Sequence, residues 1–154
     1  MEKKLPDNDR AELIGTELIG TKLTGVVIGA FYETYNVLGF GFLEQVYKNA
    51  LAIELKGRGL HVQTEMPIEV RYKDQRAGWY RLDILVERRL AVEVKASEFS
   101  HPNDRKQMLN YLRATDLDVG LLLHYGVEPD FKRCVSPRVT DQATRPQTGS
   151  SKKS

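Results

Sequence analysis

The chain has 154 residues, of which 41% are hydrophobic and 29% are charged, a composition typical of one globular domain with its own core. It holds no apolar run long enough to cross a membrane and no secretory signal in its first ten residues, and its single Cys134 excludes an internal disulfide. We therefore expect a cytoplasmic protein without a membrane partner. The residues up to Val135 sum to a charge of −1, which excludes a strongly basic protein that coats nucleic acid.

The N-terminal third of the chain predicts two helices behind a short extension. Residues 1–22 contain the five-residue repeat in "ELIGTELIGTKLTG", to which we assign no function. From Leu23 to Leu38 the apolar residues return at helical spacing, and "LGFG" ends this pattern. A second helix is predicted from about Phe42 to Lys56, closed by glycines. Its apolar stripe consists of Leu43, Val46, Tyr47, Ala50 and Leu51.

Strand patterns occupy most of the middle of the chain. "HVQTEMPIEVRY" alternates apolar and polar residues, and its Pro67 indicates an edge strand or a bulge. "RLDILVERRLAVEVKAS" reads as two short strands joined by a charged turn. "HPNDRKQMLNYLRAT" predicts a helix capped by Asn103 or Asp104, and "DVGLLLHYG" predicts a strand buried on both faces.

The C-terminal tail and the order of the elements complete the predicted organisation. Residues 136–154 are rich in Ser, Thr, Pro, Gln, Arg and Lys, which predicts a disordered basic tail. The order before it is α, α, β, β, β, α, β. It predicts one α/β domain over residues 23–135, with two or three layers around a mixed four-stranded sheet.

The predicted hairpin carries charged residues at positions where strands usually carry apolar ones. Glu93 and Lys95 share one face of its second strand, and Asp83 interrupts the first. If the charged turn is a three-residue loop, Val86 pairs with Leu90. Asp83 then lies opposite Glu93, with Cβ atoms about 4.5–5.5 Å apart. A two-residue turn would instead place the two carboxylates on different faces of the sheet.

Two carboxylates at this distance repel each other, and one of them is pushed towards protonation. Lys95 offsets part of the repulsion, and a divalent cation would offset more. Mg²⁺ prefers oxygen ligands and keeps several waters, which leaves room for a phosphate oxygen. It would polarise the phosphoryl group and lower the pKa of an attacking water, while Lys95 steadies the developing charge or orients that water. The D-x₉-E-x-K pattern therefore fits phosphodiester hydrolysis.

Each candidate residue also has an ordinary interpretation. An isolated E-x-K pair is more typical of surface ion pairs on an exposed sheet face than of a catalytic site. Glu44 and Tyr47 follow G-x-x-E-x-x-Y spacing on one helical face, so Glu44 could reach a metal at the hairpin or could be a solvated helix residue. Gln107 and Tyr111 also share a helical face. They could hold a nucleic-acid strand, brace the site or form boundary packing.

Taken together, the motifs resemble those of the GxxExxY proteins, which are placed in the PD-(D/E)XK nuclease superfamily. The resemblance covers about Leu23 to Val135. It includes "LTGVVIGA", "LGFGFLEQVY", "YRLDILVERRLAVEVKA", "QMLNYLRAT", "VGLLLHYG" and "FKRCV". The superfamily core is αβββαβ, a restriction-endonuclease-like fold, and this matches the predicted order if the first helix is counted as an addition.

The resemblance also implies a set of site residues. It implies a metal site for Mg²⁺, which Mn²⁺ could replace, formed by Glu44, Asp83, Glu93 and the backbone carbonyl of Val94. Lys95 would be the catalytic lysine beside Asp83 and Glu93. The Q-x-x-x-Y element of the RecB-type exonuclease branch is represented by Gln107 and Tyr111. With Tyr47, these two residues would bind nucleic acid or brace the site.

Two classes of function remain open at this point. The first is a Mg²⁺-dependent nuclease that acts on DNA, although the sequence does not distinguish DNA from RNA. The second is a nucleic-acid-binding or assembly module that uses the same fold without turnover, which the near-neutral body favours slightly. Phe40 and Phe42 are candidates for contacts in a homo-oligomer or with another protein. Candidates for a phosphate track are Arg71, Lys73, Arg81, Arg105, Lys106 and Arg113.

Overall fold

The computed structural model describes residues 22–138, so the N-terminal repeat and most of the basic tail lie outside the described residues. Within this range the helices are α1 (Thr24–Leu38), α2 (Glu44–Gly57) and α3 (Pro102–Ala114). The strands are β1 (Val62–Tyr72), β2 (Gln75–Val86), β3 (Leu90–Lys95), β4 (Val119–Tyr125) and β5 (Pro129–Val135). None of these three helices is long and apolar enough to cross a membrane.

The strands form one mixed sheet in the order β1-β2-β3-β4-β5. β3 and β4 are parallel and are joined by a crossover that contains α3, whereas the other neighbouring pairs are antiparallel. The prediction of four strands is therefore corrected to five. β5 was missed because it is an edge strand whose charged residues interrupt any apolar alternation, and only Cys134 within it is buried.

Helices cover both faces of the sheet, so the domain has three layers. α1 and α2 pack on one face through residues that include Val27, Phe31, Leu51 and Leu55. α3 packs on the other face through Met108, Tyr111 and Leu112. Every residue of β4 is buried, which confirms the prediction of a strand enclosed on both sides.

The periodicity of α2 predicted its position but not the whole of its buried face. Tyr47 and Leu51 are fully buried, as expected. Leu43 is 80% exposed and Val46 is 37% exposed, so these two assignments to the buried stripe are wrong. The helix begins at Glu44 rather than at Phe42, and Leu43 has extended backbone angles. Its side chain therefore does not continue the helical face.

The N-terminus of α3 has a different cap from either of those predicted. His101 is the N-cap residue, and its Nδ1 accepts a hydrogen bond from the N–H of Asn103 at 3.1 Å. Asp104 completes the capping box by accepting a hydrogen bond from the N–H of His101 at 3.2 Å. The sequence signal was misassigned because histidine is not among the preferred N-cap residues.

The packed chain continues past the predicted domain boundary. Ser136 is fully buried, and its N–H donates to the carbonyl of Asp118 at 2.7 Å. The Nη2 of Arg138 donates to the carbonyls of Leu112 and Leu117, both at 3.2 Å. The folded domain therefore reaches at least to Arg138. Residues 136–138, which the sequence analysis assigned to the disordered tail, belong to the packed structure.

Candidate active site

The β2–β3 hairpin has the register that a pair of facing carboxylates requires. Val86 pairs with Leu90, which confirms the predicted three-residue loop. Two loop residues adopt positive φ angles of 51° and 57°, a conformation that lets so short a connection reverse the chain. Regular pairing continues for two more positions. The next position in this register places Asp83 opposite Glu93.

Asp83 and Glu93 meet in a buried environment, with exposed fractions of 7% and 5%. The N–H of Asp83 donates to Oε1 of Glu93 at 3.2 Å, and the N–H of Val94 donates to Oδ2 of Asp83 at 2.9 Å. Hydrogen bonds from backbone N–H groups to these two side chains thus take the place of backbone–backbone hydrogen bonds just beyond the last paired residues of β2 and β3. Because the N–H and C=O of one strand residue point to the same side, the carbonyl of Val94 also faces Asp83. The interpretation of Glu93 as part of an exposed surface ion pair is wrong.

Burial raises the pKa of Glu93 to about 9, and the negative charge of Asp83 adds to the increase. Lys95 acts in the opposite direction but does not compensate. Glu93 therefore keeps its proton at neutral pH unless another cation approaches. Burial also raises the pKa of Tyr111, and Glu93 and Asp83 contribute to that increase. This interaction places the Tyr111 hydroxyl within the field of the two carboxylates.

Glu44 lies in the first turn of α2, beside the same end of the sheet. Glu44 is exposed at the surface, but desolvation by the surrounding protein atoms raises its pKa, as does the negative charge of Asp83. Lys95, Lys48 and a backbone hydrogen bond with Ala96 lower it. The helix N-terminus also favours a carboxylate at this position. The fold thus brings Glu44 close enough to Asp83 and Lys95 for their charges to act on one another.

Lys48 is a site residue that the sequence interpretation missed. Its Nζ donates to Oδ1 of Asp83 at 3.1 Å and to Oε1 of Glu65 at 3.2 Å. Burial alone would lower the pKa of Lys48, but the two carboxylates outweigh this effect and the pKa is raised. One signal could have identified it, because Lys48 follows Glu44 by four residues and so shares its helical face. Glu65 gave no comparable signal within its alternating strand.

The remaining predicted residues are Tyr47 on α2 and Gln107 on α3. Tyr47 is fully buried, donates to the carbonyl of Gly39, and accepts from the N–H of Phe42 at 3.2 Å. Its ring also stacks on that of Tyr125, with centroids 4.2 Å apart. This environment favours bracing of the loop before Glu44 over contact with nucleic acid. Gln107 is half-buried on α3, four residues before Tyr111.

Lys95 ends β3 and borders a small cavity of about 20 Å³, enough for about one water molecule. His124 pairs with Lys95 across the parallel strands and also lines this cavity. The Nε2 of His124 lies 3.0 Å from Oγ of Ser97, so the imidazole is attached to the segment that follows β3. The cavity therefore lies beside the lysine.

The carboxylates suit a cation, although they do not form a complete metal cage. Among residues 22–138, no group of three or more His, Cys, Asp or Glu side chains is arranged to hold a metal ion. The three-carboxylate ligand set is thus not assembled in this arrangement, in which Lys48 holds one oxygen of Asp83. Mg²⁺ is usually bound through one or two carboxylates together with waters. Two buried carboxylates that lack sufficient positive charge fit such an ion.

The comparison with protein families agrees with this geometry. A model of the PD-(D/E)XK nuclease superfamily matches residues 21–134, a range that includes every candidate site residue. The chain therefore belongs to the PD-(D/E)XK nuclease superfamily. Nucleases of this superfamily generally use divalent metal ions. Among curated proteins, none matches the chain.

A solved structure with the same fold is the crystal structure of SSO0001. The two chains are 18% identical and superpose with a TM-score of 0.50 over 78% of this chain and 61% of the other. The present chain therefore spans less than two thirds of the length of SSO0001. At this identity the likeness shows a common fold alone. The family match and this likeness confirm the prediction of an α/β restriction-endonuclease-like core.

Proposed function

We propose that the protein is a Mg²⁺-dependent nuclease that hydrolyses phosphodiester bonds in DNA and belongs to the GxxExxY group of its superfamily. The observation that carries the proposal is the buried contact between Asp83 and Glu93, with Lys95 on the same strand as Glu93. A structural role alone does not account for two carboxyl groups buried in contact, because Glu93 remains there at neutral pH only by taking up a proton, which costs stability.

The proposed roles follow from the positions of the side chains. Asp83 and Glu93 would hold the metal ion, with Glu44 and the carbonyl of Val94 as further oxygen donors. When bound, the ion would supply Lewis-acid activation of the phosphoryl group and of water. Lys95 is close enough to Glu44 and Glu93 to lower the pKa of both, so its ammonium group could neutralise charge that develops on a phosphate there.

The reaction needs no other co-reactant. Water forms one new P–O bond, one P–O ester bond breaks, and the departing oxygen leaves as an alcohol after it gains a proton. Tyr111 and Gln107 would act from α3, where Tyr111 is already within the field of the carboxylates. Tyr47 would fix the loop that precedes Glu44 through its hydrogen bonds to Gly39 and Phe42.

The proposal is tested by cleavage of labelled single-stranded DNA, double-stranded DNA and RNA with Mg²⁺, Mn²⁺ or EDTA. We expect metal-dependent cleavage by the wild type and a loss of at least about a hundredfold in Lys95→Ala. Lys56→Ala, at an exposed lysine in the last turn of α2, is the matched control and should cleave normally. Equal cleavage by the wild type and Lys95→Ala would mean that the activity does not come from this site.

One observation favours a second function, that of a non-catalytic binding or assembly module. Lys48 already pairs with Asp83, as a purely structural cation would. A module of this kind should not bind Mg²⁺ or Mn²⁺ at the carboxylates. Calorimetric titration of the metal-free protein with Mn²⁺ separates the two functions, because the nuclease requires binding that Asp83→Asn abolishes.

A further inference from the structure

The hairpin formed by β1 and β2 extends well beyond the rest of the sheet. β1 pairs with β2 from Val62 opposite Val86 to Tyr72 opposite Gln75, whereas β3 pairs with β2 only as far as Ile84. The part of the hairpin over residues 67–81, which we call the hairpin arm, therefore has no β3 neighbour. Its base is anchored on α3 through Ile68, which is buried.

Positive charge is concentrated on the hairpin arm. The arm has two acidic residues, Glu69 and Asp74, and four basic ones, Arg71, Lys73, Arg76 and Arg81. The other described residues have thirteen basic and thirteen acidic side chains and are neutral in sum. Three of the six basic residues proposed as a phosphate track, Arg71, Lys73 and Arg81, thus lie on the arm together with Arg76, whereas the other three lie on α3. The net positive charge of residues 22–138 therefore lies on the hairpin arm, where it would attract a polyanion such as nucleic acid.

Large aromatic side chains accompany this charge at the surface. Tyr72, Trp79 and Tyr80 are 66%, 54% and 43% exposed. The register shifts so that Ala77 has no partner on β1, and this bulge turns Arg76 to the same side as Trp79. The Arg76 guanidinium lies 5.3 Å from the Trp79 ring centroid. Exposed rings interleaved with cations are the combination that binds single-stranded nucleic acid, because unpaired bases can stack on them.

The arm also leads towards the carboxylates. Tyr80 packs edge-to-face against Tyr111, with ring centroids 5.0 Å apart. On the other side of β2, Nε of Arg81 lies 3.7 Å from Oε2 of Glu65, which in turn contacts Lys48, the partner of Asp83. Asp83 follows Trp79 by four positions along β2, a distance of about 13 Å. A strand bound along the arm would therefore reach the site.

The surface beside β3 and β4 is acidic, in contrast to the basic hairpin arm. A cleft of about 410 Å³ there is lined by Glu98, Glu128 and Asp130 together with His124. Three carboxylates would repel a phosphate backbone. Charge complementarity therefore favours approach from the arm rather than from this cleft.

We propose that the hairpin arm binds single-stranded nucleic acid through base stacking on Trp79 and phosphate contacts from Arg76 and its basic neighbours, and that it delivers the strand to the carboxylates. The delivery rests on the proposed nuclease function, whereas the binding does not. Duplex should bind more weakly, because its bases already stack on each other and are closed to the indole ring.

The experiment is a titration of the full chain with a short oligo(dT) strand and with a matched duplex, in EDTA to prevent cleavage. Trp79 is the single tryptophan of the sequence, so its fluorescence reports directly on the arm. We expect quenching by the single strand. In anisotropy measurements with a labelled strand, we expect Trp79→Ala to weaken binding by roughly five- to one-hundredfold and Trp79→Phe to retain most of it.

Arg76→Gln should weaken binding and reduce the slope of log K against log salt by about 0.7, the value for one lost contact to a single strand. The matched control is Arg133→Gln on β5, an exposed arginine at the opposite edge of the sheet, which should leave both values unchanged. The proposal is overturned if Trp79→Ala, with a normal unfolding midpoint, binds the strand like the wild type. Equal binding of duplex and single strand without quenching would also overturn it.

The cleavage assay separates this inference from the proposed function. If the wild type cleaves DNA, Lys95→Ala does not, and Trp79→Ala binds and cleaves normally, the nuclease stands and the arm has no role in binding. If Trp79 is quenched and Trp79→Ala loses binding while no protein cleaves, the arm binds nucleic acid and the nuclease proposal fails.

Discussion

Lys48 is the residue that balances charge at the strand ends. Its side chain is 14% exposed and contacts both Asp83 and Glu65. Loss of the ammonium group would leave the Asp83 carboxylate buried without its cation. We expect Lys48→Met to lower the free energy of unfolding by about 3 kcal/mol in metal-free buffer, measured by urea unfolding. Lys56→Met, at an exposed lysine on the same helix, should change it by less than about 0.5 kcal/mol.

A double variant decides whether the pairing is responsible. Lys48→Met combined with Asp83→Asn removes both charges, so most of the loss should be recovered. If the two single losses simply add, Lys48 stabilises the protein through packing of its methylene chain instead, and the charge-balance interpretation fails.

Glu93 makes the stability of the metal-free protein depend on pH. Its pKa is about 9 in the folded protein and near the ordinary 4.5 in the unfolded chain. Between these values the folded state holds the extra proton, so stability falls as pH rises, by up to about 1.4 kcal/mol per pH unit. Glu93→Gln should remove this slope and exceed the wild type in stability at pH 8.

Urea unfolding at pH 6, 7 and 8 in EDTA measures the effect. Glu54→Gln is a suitable control, since Glu54 forms a half-exposed i, i+4 ion pair with Arg58 on α2. It should keep the slope of the wild type. Identical slopes in wild type and Glu93→Gln would show that Glu93 is already ionised at neutral pH.

At the scale of elements, the packing of α3 on β4 requires a residue without a side chain. A Cβ atom at Gly120 would lie 2.4 Å from Sδ and 2.9 Å from Cγ of Met108, which is fully buried. We expect Gly120→Ala to lower the free energy of unfolding by about 1–3 kcal/mol, because the helix or the methionine must shift. Gly78→Ala in β2 is the control, as nothing lies within 4 Å of its Cβ position.

Thermal and urea unfolding of the two variants measure the difference. Gly78→Ala should change the stability by no more than about 1 kcal/mol, the usual difference between the two residues in a strand. If Gly120→Ala is as stable as Gly78→Ala, the α3–β4 interface is less tightly packed than the described geometry indicates.

For the whole molecule, metal binding should be linked to folding. An ion held by Asp83 and Glu93 binds only the folded chain, in which the two strands meet. Mg²⁺ at a hundred times its dissociation constant should raise the free energy of unfolding by about 2.7 kcal/mol. Thermal unfolding with Mg²⁺ and with EDTA measures this increment, which Asp83→Asn should lack and Glu54→Gln should keep. An increment of the same size in Asp83→Asn would place the ion elsewhere.

Local patterns in the sequence predicted much of the fold. The helical spacing of α1, the alternation of β1 and the apolar run of β4 are local properties, and each was predicted at nearly the correct place. The register of the β2–β3 hairpin was also accessible, because loop length determines which residues of two adjacent strands pair. The predicted facing of Asp83 and Glu93 followed from that register.

Local patterns in the sequence could not predict contacts between segments that are distant along the chain. The contact of Lys48 with Asp83 joins residues 35 positions apart, and nothing in either segment specifies the other. The burial of Glu93, the fifth strand beside β4 and the exposure of Leu43 likewise depend on what the neighbouring elements cover. The sequence alone thus predicted the facing carboxylates and the lysine of the hairpin, but not Lys48 or Glu65 beside them. The tertiary structure decided which of them are buried, which cation balances them and which surface leads to them, because burial and electrostatic pairing arise only when separate elements pack together.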